Sequence, residues 1–396
     1  MSPSWNPAPT AKLSWSPRQV RLILSAIFGA LIVAVILWEA FETVVLPRRV
    51  ARRFRLTRLV YRSTWAPWKA VAGIFRKPKA RETFLSFYGP LSLLILFAVW
   101  AACIITGFAM LYYSSRTQDS THPTFETCLY LSGTTMFTLG LGDVIPHTWL
   151  ERFFAVVESG LGFGFLALIL SYLPVIYQAF SRREVNIVLL DARAGSPPTA
   201  AELLRRHAGT AGAEPLQRLL HDWEHSSADI LESHVSYPVV SYFRSQHTNE
   251  SWLAALTAIL DVCSLLLSCV DNVSLRQPRL TFAMCRHTVV DLAQLFGEAP
   301  RAHPTDRLPS PEFERLRATL TEAGFAMRTD QASRDKLGQL RGMYEPYLEA
   351  LSGYLHMEVP PWILATEITD NWRTSAWGRI SGLTLAARTG PDDHAD

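Results

Sequence analysis

A hexapeptide in which glycine alternates with other residues is the part of this sequence best suited to binding a cation. It is Thr138-Leu-Gly-Leu-Gly-Asp143, and it follows a largely uncharged stretch over residues 124–137. Because glycine tolerates positive φ, the alternation allows successive carbonyl oxygens to point to the same side. A ring of such carbonyls, with the Thr138 hydroxyl as one more layer of oxygens, can replace the hydration shell of a cation. The hexapeptide therefore predicts an ion-binding segment.

A second segment has residue types that could bind a metal. His221-Asp-Trp-Glu-His225 matches the HxxEH pattern of inverted zinc proteases, in which two histidines on one helix face hold zinc and the glutamate, here Glu224, is the base. The sequence assigns no third ligand, although Asp222, His207 and His234 are candidates. The polar, solvent-exposed face of an ordinary helix can match the same pattern by chance. We therefore predict that the protein is not an enzyme and has no cofactor.

Three apolar runs must position the hexapeptide, because each is long enough to cross a membrane as a helix. They cover about residues 22–46, 84–113 and 153–180. Between the first two, residues 47–83 contain 12 Lys or Arg and a single acid. The positive-inside rule places this loop in the cytoplasm. The stretch from residue 182 onward is then also inside, and the N-terminus outside.

The charge distribution divides the chain at about residue 183. Residues 1–183 have a net charge of +11, and residues 184–396 have a net charge of −8. This asymmetry indicates two parts with different surroundings and argues against one uniform globular domain. The five cysteines form no CxxC pair and no framework spacing, which argues against a disulfide-built secreted protein.

The order of the elements resembles the two-helix pore of potassium channels, over about a quarter of the chain. An outer helix (84–113) is followed by a half-length helix (124–137), which at about 20 Å can enter a membrane but not cross it. The filter segment (138–143) and an inner helix (153–180) come next. Irregular backbone at membrane depth needs protein or water around it, which four copies around an axis would provide. The resemblance therefore implies a homotetramer, here with an extra N-terminal membrane helix.

The resemblance also implies roles for individual residues. Dehydrated potassium would be coordinated by five filter residues: Thr138, Leu139, Gly140, Leu141 and Gly142. Asp143 would lie behind the filter, bonded to Tyr130, where many relatives have tryptophan. The inner helix could hinge or gate at Gly160, Gly162, Gly164 and Pro174. Two residues depart from the family, since Leu141 replaces the common filter tyrosine and Phe137 stands where many relatives have threonine or valine.

The basic linker allows two interpretations. Arginine recurs every third residue at Arg49, Arg52, Arg55 and Arg58. This is the spacing of a voltage-sensing helix, but a sensor needs neighbouring spans with acidic partners and only one span precedes the linker. We therefore interpret residues 48–81 as lying on anionic lipid headgroups. Glu39 and Glu42, near the end of the first helix, are expected to be interfacial and paired with these arginines.

The acidic half of the chain is predicted to be mainly helical. A strand-like run over 186–190 leads into a Gly/Pro break at 195–198. Helical periodicity follows in six stretches: 199–208, 214–233, 250–270, 280–297, 311–327 and 332–356. The run 252–270 is apolar enough for a fourth span, but Asp261 at its centre would cost about 2.5–3.5 kcal/mol in a membrane. We therefore expect a buried helix of a cytosolic bundle there, and disorder after about residue 384.

These observations predict an all-α membrane protein with a tetrameric potassium-channel-like pore domain. The domains are an N-terminal helix with its basic linker (1–83), the pore (84–183) and a helical cytosolic domain (184–396). No GxGxxG follows a strand, so the cytosolic domain is expected to assemble the pore or to gate it with an unidentified ligand. The plasma membrane is the expected location, with further copies of the chain and anionic lipid as partners and no nucleic acid. The alternatives are a non-selective cation channel, and a membrane-anchored enzyme or scaffold with a vestigial pore.

Overall fold

The computed structural model describes residues 16–46, 56–115, 124–209, 213–246, 249–302 and 304–365. Within these ranges the fold is all-α, as predicted, and the one strand-type pairing is an isolated bridge between Val270 and Met327. The linker arginines Arg49, Arg52 and Arg55 lie outside the described residues, as does the tail expected to be disordered.

Thirteen α-helices, one π-helix and one 3₁₀-helix make up the described part of the chain. They are α1 (Pro17–Ala40), a π-helix (Phe41–Val45), α2 (Leu56–Ala72), α3 (Pro78–Ser86), α4 (Tyr88–Ser114), α5 (Phe125–Met136), α6 (Trp149–Ala194), α7 (Ala200–Arg206), α8 (Ala213–Ser236), a 3₁₀-helix (Pro238–Tyr242), α9 (Trp252–Ser268), α10 (Arg276–Phe296), α11 (Ser310–Glu322), α12 (Gln331–Gly342) and α13 (Glu345–Leu355). Among the described residues, three helical stretches are long and apolar enough to cross a membrane: Pro17–Val44, Pro78–Ser114 and Trp149–Ala194.

The chain divides into two compact units. The first, which we call the pore unit because it contains the predicted pore helices, consists of the described residues up to Thr64 together with Leu91–Val175. The second, the helical unit, contains Trp65–Pro90 and the described residues from Ile176 onward. Helices α2, α4 and α6 each contribute residues to both units because the divisions fall inside them.

In the pore unit, α1 packs closely on α4 through two glycines. A Cβ added to Gly29 would lie 2.5 Å from the Gly107 carbonyl oxygen, and one added to Gly107 would lie 2.7 Å from a methyl group of Val33. The Ser25 hydroxyl also donates a hydrogen bond to the Met110 carbonyl at 3.0 Å. Small residues allow membrane helices to approach backbone to backbone. Helix α1 is therefore held against α4 by a contact between glycines.

Replacing Gly29 by leucine is expected to destabilise the pore unit by about 1–3 kcal/mol, because the new side chain must force α1 away from α4. The free energy of unfolding in mixed detergent micelles measures the effect. Ala30→Leu is the matched control, since Ala30 is the next residue on α1 and is exposed. Equal stability of the two variants would show that the glycine contact contributes nothing.

Two acids near the end of the first span have identifiable partners. The Glu39 side chain is buried, and its Oε1 accepts hydrogen bonds from the Thr57 backbone N–H (2.9 Å) and hydroxyl (2.7 Å). Thr57 lies in the first turn of α2, where acceptors for free N–H groups are favourable. Glu42 Oε1 accepts from the Trp38 indole at 2.7 Å. The expected pairing with the linker arginines stays a prediction.

In the helical unit, α9 forms the centre of the core. Every residue of α9 is buried, including Asp261. Arg307 donates to this carboxylate at 2.8 and 3.3 Å, and the Tyr344 hydroxyl donates to it at 2.6 Å. Arg307 also reaches Glu345 at 2.9 Å. The charge that argued against a fourth span is thus compensated inside a helical bundle, as a buried charge must be.

Replacing Asp261 by alanine should cost about 3–5 kcal/mol of stability, because Arg307 would be left buried without its main counter-charge. Thermal and chemical denaturation of the full chain measure this loss. Glu214→Ala is the control, since Glu214 pairs with Arg218 at 2.8 Å but both side chains are exposed, and such pairs contribute little. A loss no larger than in the control would contradict the ion-pair interpretation of Asp261.

The strand predicted over 186–190 is wrong, because α6 continues through it to Ala194. Ile187, Leu190 and Ala194 are buried in the core of the helical unit, and their spacing of three and four residues defines one face of a helix. Burial of that face outweighs the strand preference of a short β-branched run. The helix ends at the predicted Gly/Pro break, where Gly195 has φ of +82°.

Two other predicted helices are shorter than the sequence pattern indicated. The stretch 332–356 is divided into α12 and α13, because Pro346 has no N–H to donate and can only occupy the first turn of a helix. The stretch 311–327 ends as α11 at Glu322, before Gly324 with φ of +100°. Met327 then pairs with Val270 in the isolated bridge.

Candidate functional site

The filter segment begins directly at the end of α5. The Thr138 N–H donates to the Thr135 carbonyl (3.0 Å), and the Leu139 N–H donates to the Thr134 carbonyl (2.8 Å). These are the two bonds of a Schellman motif, with Thr138 at the left-handed position that glycine usually occupies. Thr138 has φ of +56°, which is uncommon for a β-branched residue. The same residue therefore terminates the half-length helix and opens the hexapeptide.

Backbone conformation alternates along the hexapeptide. The φ angles are +56° at Thr138, +56° at Gly140 and +80° at Gly142, whereas Leu139 and Leu141 have no positive φ. Positive φ at every second residue allows successive carbonyl oxygens to point to the same side. A Cβ added to Gly140 or Gly142 would meet no atom within 4 Å. The requirement for glycine at these positions is therefore conformational and not spatial.

Asp143, the last residue of the hexapeptide, is hydrogen-bonded to α5. The Tyr130 hydroxyl donates a hydrogen bond to Asp143 Oδ2 at 2.8 Å, and the Val144 N–H donates to Asp143 Oδ1 at 3.0 Å. The bond between Tyr130 and Asp143 that the resemblance implied is thus present in the structure.

Among the inner-helix glycines, only Gly162 is in close contact. A Cβ at Gly162 would lie 2.0 Å from the carbonyl oxygen of Met136, the last residue of α5. The same test at Gly160 and Gly164 finds no atom within 4 Å. Helix α6 runs unbroken past all three, with Pro174 inside it. Gly162 therefore allows the inner helix to touch the end of α5, whereas hinge motion at any of these positions stays a prediction.

Sequence reasoning missed the role of Glu158. Glu158 is the single charged residue in the third apolar run, and the structure buries its side chain completely. Its carboxyl group contacts Tyr112 on α4 and Ser132 on α5. An ionisable residue inside an apolar span is by itself a signal of function, and this signal could have identified it.

The structure does not complete a metal site around the HxxEH segment. His221 and His225 lie on α8 with ring centroids 4.7 Å apart, and both are exposed. Glu224 accepts a hydrogen bond from Gln277 at 2.7 Å. Within the described part of the chain, no group of three His, Cys, Asp or Glu side chains could hold a metal ion.

The candidate third ligands have other surroundings. His207 contacts the Leu203 carbonyl with Nδ1 at 2.8 Å. His234 is fully buried beside Arg183, and burial together with that cation holds the pKa of His234 well below its ordinary value. A neutral His234 can accept the hydrogen bond that Arg183 donates to its Nε2 at 3.2 Å. This histidine is therefore part of the packing around the end of α6.

Comparison with known proteins agrees with the geometry of α4, α5 and α6. Residues 92–178 match the model of a protein family described as ion channel. The chain is 23% identical over 213 residues to the uncharacterized membrane protein YdjJ of Bacillus subtilis (strain 168), an alignment that covers 52% of this chain and 59% of that protein. No solved structure matches. The chain is thus a membrane protein that carries an ion-channel domain over residues 92–178.

Proposed function

We propose that this protein is a potassium-selective channel formed by four copies of the chain. The observation that carries the proposal is the alternating left-handed backbone at Thr138, Gly140 and Gly142, directly after a half-length helix. Carbonyl oxygens aligned in this way can replace the water shell of potassium when several copies face one another. The Tyr130–Asp143 bond holds the outer end of this segment in place.

The need for four copies follows from what one chain offers. A single chain supplies one strip of carbonyls, and a closed ring requires further copies around an axis. The inner helix also has an apolar stripe at seven-residue spacing, Trp149, Val156, Phe163 and Leu170, each 63–78% exposed. Such a spacing is typical of a seam between packed helices. Packing of four inner helices around the filter axis would cover this stripe.

The C-terminal end of α6 provides a route for gating. Arg183 is buried in the helical unit, where it donates to the Val240 carbonyl (3.0 Å) and the Phe243 carbonyl (2.8 Å). Its guanidinium also pairs with Glu184 at 3.0 Å. Because α6 is one continuous helix, rearrangement of the helical unit would move the inner helix.

We also propose a location for each part of the chain. The three spans lie in the plasma membrane, the helical unit lies in the cytosol, and the basic linker lies on anionic lipid headgroups.

Reversal potentials of the purified protein in lipid bilayers, under paired potassium and sodium gradients, test the proposal. We expect reversal near the potassium equilibrium potential, with protein-free bilayers showing no current. Native mass measurement in detergent should give a tetramer. An intact tetramer that passes no ion under any cytosolic condition would contradict the channel and favour the scaffold with a vestigial pore.

The second candidate is a non-selective cation channel, and Leu141 favours it. This exposed leucine occupies the position of the common filter tyrosine and has no hydroxyl with which to brace the filter. If this brace limits selectivity, Leu141→Tyr should increase the permeability ratio of potassium to sodium, with Leu139→Val as a control that adds no hydroxyl. Equal permeability to both ions in the wild-type protein would establish the non-selective alternative.

A further inference from the structure

Glu158 joins three helices of the pore unit behind the filter segment. It lies on α6, and its Oε2 is 2.8 Å from the Tyr112 hydroxyl of α4. Its Oε1 is in hydrogen-bond contact with the Ser132 hydroxyl of α5. Ser132 is two residues from Tyr130, which holds Asp143. Any change at Glu158 therefore acts on the helix that positions the filter.

A count of hydrogens shows that a protonated Glu158 satisfies both contacts of Ser132. The Ser132 hydroxyl lies 2.9 Å from the Ile105 carbonyl oxygen and also contacts Glu158 Oε1. A hydroxyl has one hydrogen, and a carbonyl oxygen can only accept. If Ser132 donates to Ile105, the hydrogen between Ser132 and Glu158 must belong to the carboxyl group. Tyr112 then donates to Oε2, and every contact has its hydrogen.

Among the described residues, no positively charged side chain forms a hydrogen bond or ion pair with Glu158. Its hydrogen-bond partners are Tyr112 and Ser132. The other acid on this part of α6, Glu151, accepts hydrogen bonds from the His147 and Thr148 N–H groups at the start of the helix. An ionised Glu158 would therefore be a buried charge without compensation, which proteins avoid.

We propose that Glu158 is a positioning residue that holds α5 as a neutral acid, so that loss of its proton loosens the filter. The proposal rests on the proposed channel function. Conductance is then highest while Glu158 carries its proton and falls as rising pH removes it. In the protonated state the acid closes a hydrogen-bonded chain from α6 through Ser132 to Ile105 on α4.

The test is the pH profile of the potassium current for matched variants in lipid bilayers. In the wild-type protein we expect the current to fall by about tenfold between about pH 6 and about pH 10, the range in which buried carboxylic acids can ionise. Glu158→Gln should conduct with little pH dependence, because its amide N–H₂ can donate to Ser132 and its oxygen can accept from Tyr112. Glu151→Gln is the control and should keep the wild-type profile.

A second readout does not depend on flux. Infrared difference spectra of wild type against Glu158→Gln should contain the C=O band of a protonated carboxylic acid at neutral pH, and this band should disappear at alkaline pH. A protein that conducts but has the same pH profile in wild type and Glu158→Gln, or has no such band, overturns the role of Glu158. Absence of any current with the band present would instead contradict the channel proposal and leave the neutral acid established.

Discussion

In the proposed tetrameric channel, replacing Gly140 by alanine is expected to abolish potassium flux while leaving assembly intact. Gly140 has φ of +56°, and an L-residue in the left-handed region costs about 1–2 kcal/mol. A pore of four chains contains four copies of the substitution, which would raise the free energy of the conducting conformation by about 4–8 kcal/mol. The conducting conformation should then become about a thousandfold rarer or more. Flux through vesicles measures the loss, and mass measurement confirms that the tetramer is retained.

Gly133→Ala is the control for this experiment. Gly133 lies inside α5, has no positive φ, and a Cβ there would meet nothing within 4 Å. Alanine is also the better helix former, so flux should persist. A Gly140→Ala tetramer that conducts like the wild-type protein would contradict the role assigned to the alternating backbone.

Replacing Gly162 by alanine should disrupt the packing of α6 against α5, and with it the proposed pore. The added Cβ would lie 2.0 Å from the Met136 carbonyl oxygen, a distance at which backbone must move. The carbonyl belongs to the last residue of α5, so the displacement reaches the filter within two residues. We expect the free energy of unfolding to fall by about 3 kcal/mol or more per chain, which is the upper range for overpacking. The fraction of protein recovered as a tetramer, together with its flux, measures this loss.

The neighbouring glycines offer matched controls. Gly160→Ala and Gly164→Ala place the same methyl group one half-turn away on the same helix, where the structure has open space. Both should assemble and fold as the wild type does. If all three variants behaved alike, the glycines would act through helix flexibility and not through the contact of Gly162 with Met136.

The sequence by itself determined the elements whose signal is local. Long apolar runs identify membrane helices because the bilayer sets their length, and the described spans Pro17–Val44, Pro78–Ser114 and Trp149–Ala194 overlap the three predicted runs. The half-length helix and the hexapeptide were also predicted from local signals. The helix followed from the length of its uncharged stretch, and the hexapeptide followed from alternate glycines, which tolerate positive φ. The same reasoning placed a buried helix over 252–270 from the single charge of Asp261.

Only the tertiary structure decided the features that depend on residues far apart in the chain. Asp261 is compensated by Arg307, 46 residues later, and Glu158 is held by Tyr112, 46 residues earlier. No local pattern predicts such partners, since burial and hydrogen bonding arise only after the helices pack. Residues 186–190, predicted as a strand, are helical because one face of that helix is buried in the core of the helical unit. The sequence did not distinguish Gly160, Gly162 and Gly164. In the structure only Gly162 packs tightly against α5, and the other two have open space beside them.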